Sequence, residues 1–121
     1  MKNYFLLIAF VLLLGSCTKT EHISNSPELE IFVTDANDNA IAEASISLYN
    51  NRDDWDERTN KIDSLLTDQN GYAIFKELNE LQYFVFVEKD TLSNSYGVIG
   101  VKDSLQNDEI RSLHIQIQYI Q

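Results

Sequence analysis

The chain has 121 residues, with nine basic against nineteen acidic side chains and a formal charge of −10. That balance argues against binding nucleic acid and against docking on anionic lipid by charge. A single cysteine rules out an internal disulfide, so a small domain of this length must draw its stability from burial.

The chain opens with Lys2, an unbroken apolar run from Tyr4 to Leu14, the small pair Gly15-Ser16, and then Cys17. A basic start, a short apolar stretch and small residues before a cut make a secretory signal. At about 1.5 Å per residue the run reaches roughly 16 Å, half of a ~30 Å hydrocarbon core, so it predicts a signal helix over 1–16 rather than a membrane span. Leu14-Gly15-Ser16-Cys17 resembles the lipobox of bacterial lipoproteins. The resemblance implies cleavage between Ser16 and Cys17. It also implies a diacylglyceryl group and an N-acyl chain on Cys17; beyond these covalent groups no cofactor is expected, calcium aside. One myristoyl-length chain holds only reversibly, whereas the two or three of this family anchor durably. Ordinary secretion would leave the lone thiol unexplained. In the enteric sorting rule an aspartate after the cysteine retains the protein at the inner membrane; Thr18 stands there instead, which implies the outer membrane. Residues 18–27 are polar and read as a tether from the lipidated Cys17 to the fold. The expected division is a signal peptide over 1–16, the lipidated cysteine and tether over 17–27, and one domain over 28–121.

Beyond Pro27 the apolar positions alternate, as strands require. Leu29, Ile31 and Val33 share one face. Asp35 to Asn39 is a turn, because Asp and Asn side chains bond their own backbone. Ala44, Ile46 and Leu48 alternate with Ser45, Ser47 and Tyr49. Asn50 to Asn60 reads as a polar acidic loop. Ile62 to Thr67 predicts a strand closed by the Asp68-to-Gly71 turn. Tyr72 to Leu78 predicts the next, with Ala73 and Phe75 inward. Tyr83, Val85 and Val87 alternate with Phe84 and Phe86, so that strand is apolar on both faces and central. The apolar patch of Phe84 and Phe86 either marks a partner surface or lies under cover, for which the 91–106 segment is the candidate. Tyr96 to Val101 is a weaker strand, loosened by Gly97 and Gly100. Leu113, Ile115, Ile117 and Tyr119 alternate with His114, Gln116 and Gln118 in a final strand. Seven strands joined by polar turns predict an all-β, two-sheet antiparallel sandwich.

The order of these segments is more specific than any one of them. Ile31-to-Asp35, Ala40-Ile41 and Ala44-to-Leu48 precede Leu66-to-Phe75, Leu78 and Gln82-to-Val87. The series resembles the carboxypeptidase regulatory-like domain, a prealbumin-like (transthyretin-like) seven-stranded sandwich. The segment around Asp53-Asp54-Trp55 is similar to that of small lipoproteins of this type from Bacteroidota-like bacteria. Asn39 and Glu43 stand where the family has glycine; asparagine can take the same left-handed turn. The resemblance carries over no catalytic residue.

Asp53, Asp54, Asp56 and Glu57 surround Trp55. Hard cations need six to eight oxygens and an exposed indole can stack on a sugar, so this loop is the candidate for calcium or glycan. The plainer expectation folds Trp55 back over the sandwich. Asp68-x-Asn70-Gly71 starts like an EF-hand, but position twelve is Asn79, not glutamate, and turn chemistry accounts for it. His22 and His114 are far apart and give no zinc pattern. Ser64 and Ser112 lack a nucleophile elbow, and there is no phosphate loop. The expected role is that of a lipid-anchored, non-catalytic binding or assembly module. Its contacts are the membrane, through Cys17, and an envelope protein, and not nucleic acid.

Overall fold

A computed structural model describes residues 24–119. The signal segment, the Ser16-Cys17 cleavage pair, the lipidation site and most of the tether lie outside the described residues. The strands are β1 (Glu28–Thr34), β2 (Ser45–Tyr49), β3 (Asp63–Leu66), β4 (Tyr72–Phe75), β5 (Phe84–Lys89), β6 (Leu92–Ser93), β7 (Ile110–Gln116) and β8 (Gln118–Tyr119). Among the described residues one helix, α1 (Arg52–Glu57), follows β2. Two sheets result, one in the order β4-β1-β7 and one in the order β3-β2-β5-β6-β8.

Alternation decides what lies between the sheets. Leu29, Ile31 and Val33 of β1, Phe75 of β4 and Ile115 of β7 meet Ile46 and Leu48 of β2 and Val85 and Val87 of β5 in one apolar cluster. Burying such a side chain fully contributes about 1.5–3 kcal/mol, so this row carries most of the stabilisation. Connecting segments add to the cluster, Leu105 and Ile117 among them.

β4 runs antiparallel to β1, whereas β7 runs parallel to it. The Glu28 end of β1 therefore lies beside Ile110 and Phe75, and the Thr34 end beside Gln116 and Tyr72. The chain enters at the Glu28 end. Asn25 N–H donates to Asp108 Oδ1 (2.8 Å), Asp108 N–H returns to the Asn25 carbonyl (2.8 Å), and Leu78 N–H reaches the Pro27 carbonyl (3.1 Å). The last residues assigned to the tether are thus already bonded to the body.

The expected architecture needs five corrections. Among the described residues there are eight strands rather than seven. Tyr96 to Val101 is not a strand and keeps one isolated bridge, Phe84 to Gly100. A Cβ on Gly100 would stand 2.5 Å from the Tyr83 carbonyl, so the glycine permits a close backbone approach here. The final strand splits: Ile117 N–H bonds the Thr34 carbonyl (2.9 Å), after which β8 pairs with β6 in the other sheet. Alternation cannot reveal this, because Ile115 and Ile117 face the same core from either sheet. The sandwich is not wholly antiparallel, since β1 and β7 pair in parallel; side-chain pattern carries no strand direction. Finally, the left-handed residue of the first turn is Asp38 (φ 65), not Asn39, while Glu43, which replaces a family glycine, does adopt φ 58.

Candidate functional site

The segment 50–60 is a helical turn, not a loop. Asn51 caps α1 by accepting the Asp54 N–H on Oδ1 (2.8 Å), and Asp53 and Asp54 suit the positive end of its dipole. Arg58 closes it in the left-handed region (φ 59). Asparagine three residues before Asp54 was the available sequence signal. It lacked support because Trp55 is the helix's only buried residue and no apolar period accompanies it.

Trp55 is 4 % exposed and lies on the outer face of the five-stranded sheet with Tyr49 and Phe86. Its Nε1–H donates to the Val85 carbonyl (2.8 Å), and its ring meets Phe86 edge-on, 6.2 Å between centroids. The Arg58 guanidinium stacks on both, 3.5 Å from the Phe86 centroid and 4.6 Å from that of Trp55, and donates to the Trp55 carbonyl. Phe86 is therefore covered, and Phe84 is half-buried beside it. The cover comes from α1, Arg58 and Val98, so the 91–106 segment supplies only part of it.

The acidic residues around Trp55 have different surroundings. Asp54 accepts from Asn51 Nδ2 (2.8 Å), Asn60 Nδ2 (3.0 Å) and the Thr59 hydroxyl (3.1 Å). The side-chain bond from Asn60, then that from Asn51, holds its carboxyl below the usual range. Asp56 pairs with Arg52 (3.3 Å), and Asp53 and Glu57 are exposed. The turns behave similarly. Asp35 Oδ1 takes the N–H groups of Asn37 (2.8 Å) and Asn39 (3.0 Å), and Asp68 Oδ1 those of Asn70 (2.8 Å) and Tyr72 (3.0 Å). Both turns sit at one end, joined by Val33 N–H to the Gly71 carbonyl (2.7 Å). Among the described residues no group of three or more His, Cys, Asp or Glu side chains is placed to hold a metal ion.

A second constellation, not singled out in the sequence, occupies the outer face of the three-stranded sheet. Glu30 accepts from the Tyr72 hydroxyl (3.2 Å) and from the Ser112 hydroxyl. Burial, then the Glu30 carboxylate, pushes the Tyr72 phenol up. Phe32 is 40 % exposed and tilts against Tyr72, 5.0 Å between centroids. Thr34 Oγ1 lies 2.8 Å from His114 Nε2. Ser112 and His114 are two residues apart on one face, and each bonds a different β1 residue, Glu30 and Thr34. The face offers an aromatic step flanked by hydroxyls and one carboxylate. Only the alternation of the final strand, which sets His114 on the face away from Leu113 and Ile115, foreshadowed it.

A cleft of about 530 Å³ lies where the chain enters, lined in part by Asn25, Glu28, Lys76, Glu77, Asp108 and Glu109. The Arg111 side chain, then the Gln106 N–H, lowers the Glu109 carboxyl. Among the described residues no helix is long and apolar enough to cross a membrane.

No family model matches the chain, and no curated protein matches it either. Among solved structures, the Bacillus anthracis TIE protein is 22 % identical with a TM-score of 0.58, over 76 % of this chain and 16 % of that one. Catechol 1,2-dioxygenase from Pseudomonas arvilla C-1 is 11 % identical with a TM-score of 0.47, over 85 % of this chain and 55 % of that one. This chain thus spans a small part of the first and about half of the second. The likeness to the TIE protein shows the fold, a β-sandwich.

Proposed function

We propose that this chain is a lipid-anchored envelope lipoprotein, acylated on Cys17 and sorted to the outer membrane. Its sandwich, of the carboxypeptidase regulatory-like kind, serves as a non-catalytic binding or assembly module for another envelope protein. The observation that carries this is Leu14-Gly15-Ser16-Cys17 after a short apolar run, with no other cysteine in the chain. Both sheets are open rather than closed, ending in β4 and β7 and in β3 and β8, and an outer strand is where a partner strand can add. Calcium or glycan binding at Asp53, Asp54, Trp55, Asp56 and Glu57 has less support. The indole is buried under Arg58, and the Asp54 carboxylate is taken by three side chains.

Metabolic labelling with a fatty acid, followed by envelope fractionation of the wild type and Cys17→Ser, tests the proposal. Labelled wild-type protein in the outer-membrane fraction is expected, with loss of both label and membrane association in the variant. Unlabelled wild-type protein would overturn it.

A further inference from the structure

We propose that the outer face of the three-stranded sheet binds an arginine on a basic segment of a partner protein, its guanidinium stacked on Phe32 and paired with the Glu30 carboxylate. This rests on the binding-module reading above and names the chemistry of the partner.

Alternation sends Leu29, Ile31, Val33, Ala73, Phe75 and Ile115 into the core, so their neighbours on β1, β4 and β7 point away from it. Register then sets Tyr72, Phe32 and His114 side by side in one row across the three strands, and Glu30 beside Ser112 in the next. The Phe32 and Tyr72 rings lie 5.0 Å apart between centroids, and Phe32 is 40 % exposed. The Tyr72 and Ser112 hydroxyls fix the Glu30 carboxylate beside them. Those two bonds leave lone pairs free on a group already held in place, which lowers the ordering cost of binding.

The molecule itself shows what suits an aromatic pair on a sheet face. On the five-stranded sheet the Trp55 and Phe86 rings are capped by the chain's own Arg58, 3.5 Å from the Phe86 centroid, and Phe86 is 8 % exposed. Phe32 and Tyr72 form the corresponding pair on the other sheet. Among the described residues the cationic stacking contacts are those of Arg58, so this second pair keeps no such cap. A guanidinium is drawn to the negative face of a ring, and its weak hydration makes it easier to desolvate than an ammonium.

Charge makes the same selection. The outward positions of the three strands hold Glu28 and Glu30 and no lysine or arginine. Asp68 stands near them: burial, then the carboxylates of Glu30, Glu28 and Asp68, pushes the Tyr72 phenol up, so three negative groups act at one ring. Among the described residues no ion pair involves any of the three. Lys76 follows β4 at the Glu28 end, whereas Phe32 pairs with Tyr72 at the other end of that strand. A chain of formal charge −10 draws basic segments from a distance, and this face gives one of their side chains a fixed seat.

The test uses the purified full chain in a neutral detergent and, as probe, a labelled short peptide of alternating arginine and serine. Acylation does not enter this measurement, so its failure and that of the fatty-acid labelling are distinguishable. Fluorescence anisotropy at low salt should show saturable binding, abolished when citrulline, planar but uncharged, replaces the peptide's arginines. Phe32→Ala should weaken binding about two- to five-fold although net charge is unchanged, and Glu30→Gln should weaken it at least as much. Asp90→Asn, which removes an exposed carboxylate between β5 and β6, should weaken it less than Glu30→Gln. Four outcomes each overturn the proposal: no binding at millimolar peptide, equal binding of the citrulline peptide, wild-type affinity in Phe32→Ala, or equal losses in Asp90→Asn and Glu30→Gln. Should Phe32→Ala fail to fold, amide NMR of the wild type decides: peptide-induced shifts at Phe32, Tyr72 and His114 support the site, and unmoved signals at all three overturn it.

Discussion

At the scale of single residues, Trp55 and Asp54 show how an acidic stretch becomes structure. Trp55 ties α1 to the sheet by its ring and by one hydrogen bond to the Val85 carbonyl. That carbonyl also accepts from Asn94 Nδ2 (2.8 Å), so removing the indole N–H orphans nothing. Trp55→Phe should therefore cost about 1 kcal/mol and Trp55→Ala about 3–5 kcal/mol in urea unfolding. A loss under 1 kcal/mol for alanine would show that the ring does not pack as described. Asn94, wholly buried, accepts the Val87 N–H on Oδ1 (2.8 Å) as well as donating to Val85. It replaces backbone pairing where β6 ends. Asn94→Leu leaves the Val87 N–H without that acceptor and should cost about 1–3 kcal/mol. Asp54 gives a pH signature. Its folded value lies below the ordinary 3.8, so its stabilisation is present above that value and lost as pH falls through the folded one. Acidification also relieves the repulsion of a −10 chain, with the opposite sign, so a single melting curve mixes the two effects. The difference in melting temperature between wild type and Asp54→Ala should be largest near neutral pH and shrink below about pH 4. A difference that grows on acidification would contradict the assigned bonds.

Among the elements, those with alternating apolar residues were legible and those held by backbone geometry were not. β1, β2, β4 and β5 follow directly from their inward residues, all buried in one cluster. The helix α1 stayed hidden because one tryptophan makes no period. The two-residue strand β6 is too short to carry any pattern, and β8 shows in the sequence only as the end of the final strand; β6 exists through pairing with β5 and with β8. The turn before β4 was recognised from Asp68 to Gly71, and its glycine is needed for two reasons. Gly71 has φ +74, and a Cβ there would stand 2.5 Å from the Val33 carbonyl. Gly71→Ala should destabilise by about 1–3 kcal/mol, read as a lower melting temperature. An unchanged melting temperature would mean that the β1–β4 junction relaxes freely.

For the whole molecule, charge and core set opposing tendencies. The chain has no internal disulfide to offset self-repulsion at −10, so screening should help it. Raising sodium chloride from low millimolar to about 0.5 M should raise the melting temperature by a few degrees, since the Debye length then falls to a few ångströms. A fall would place the stabilising ion pairs, such as Arg111 with Asp103 (2.9 Å), above the repulsion. The face-to-face sandwich, the inward rows and the Asx turns were determined by the sequence alone, because alternation and turn chemistry act between residues close in the chain. Tertiary structure alone decided the parallel pairing of β1 with β7, the passage of the last strand between sheets at Ile117, and the burial of Trp55 under Arg58. Each depends on which distant backbone or ring lies opposite, and two sheets sharing one core present the same local pattern to the chain whichever of them it joins.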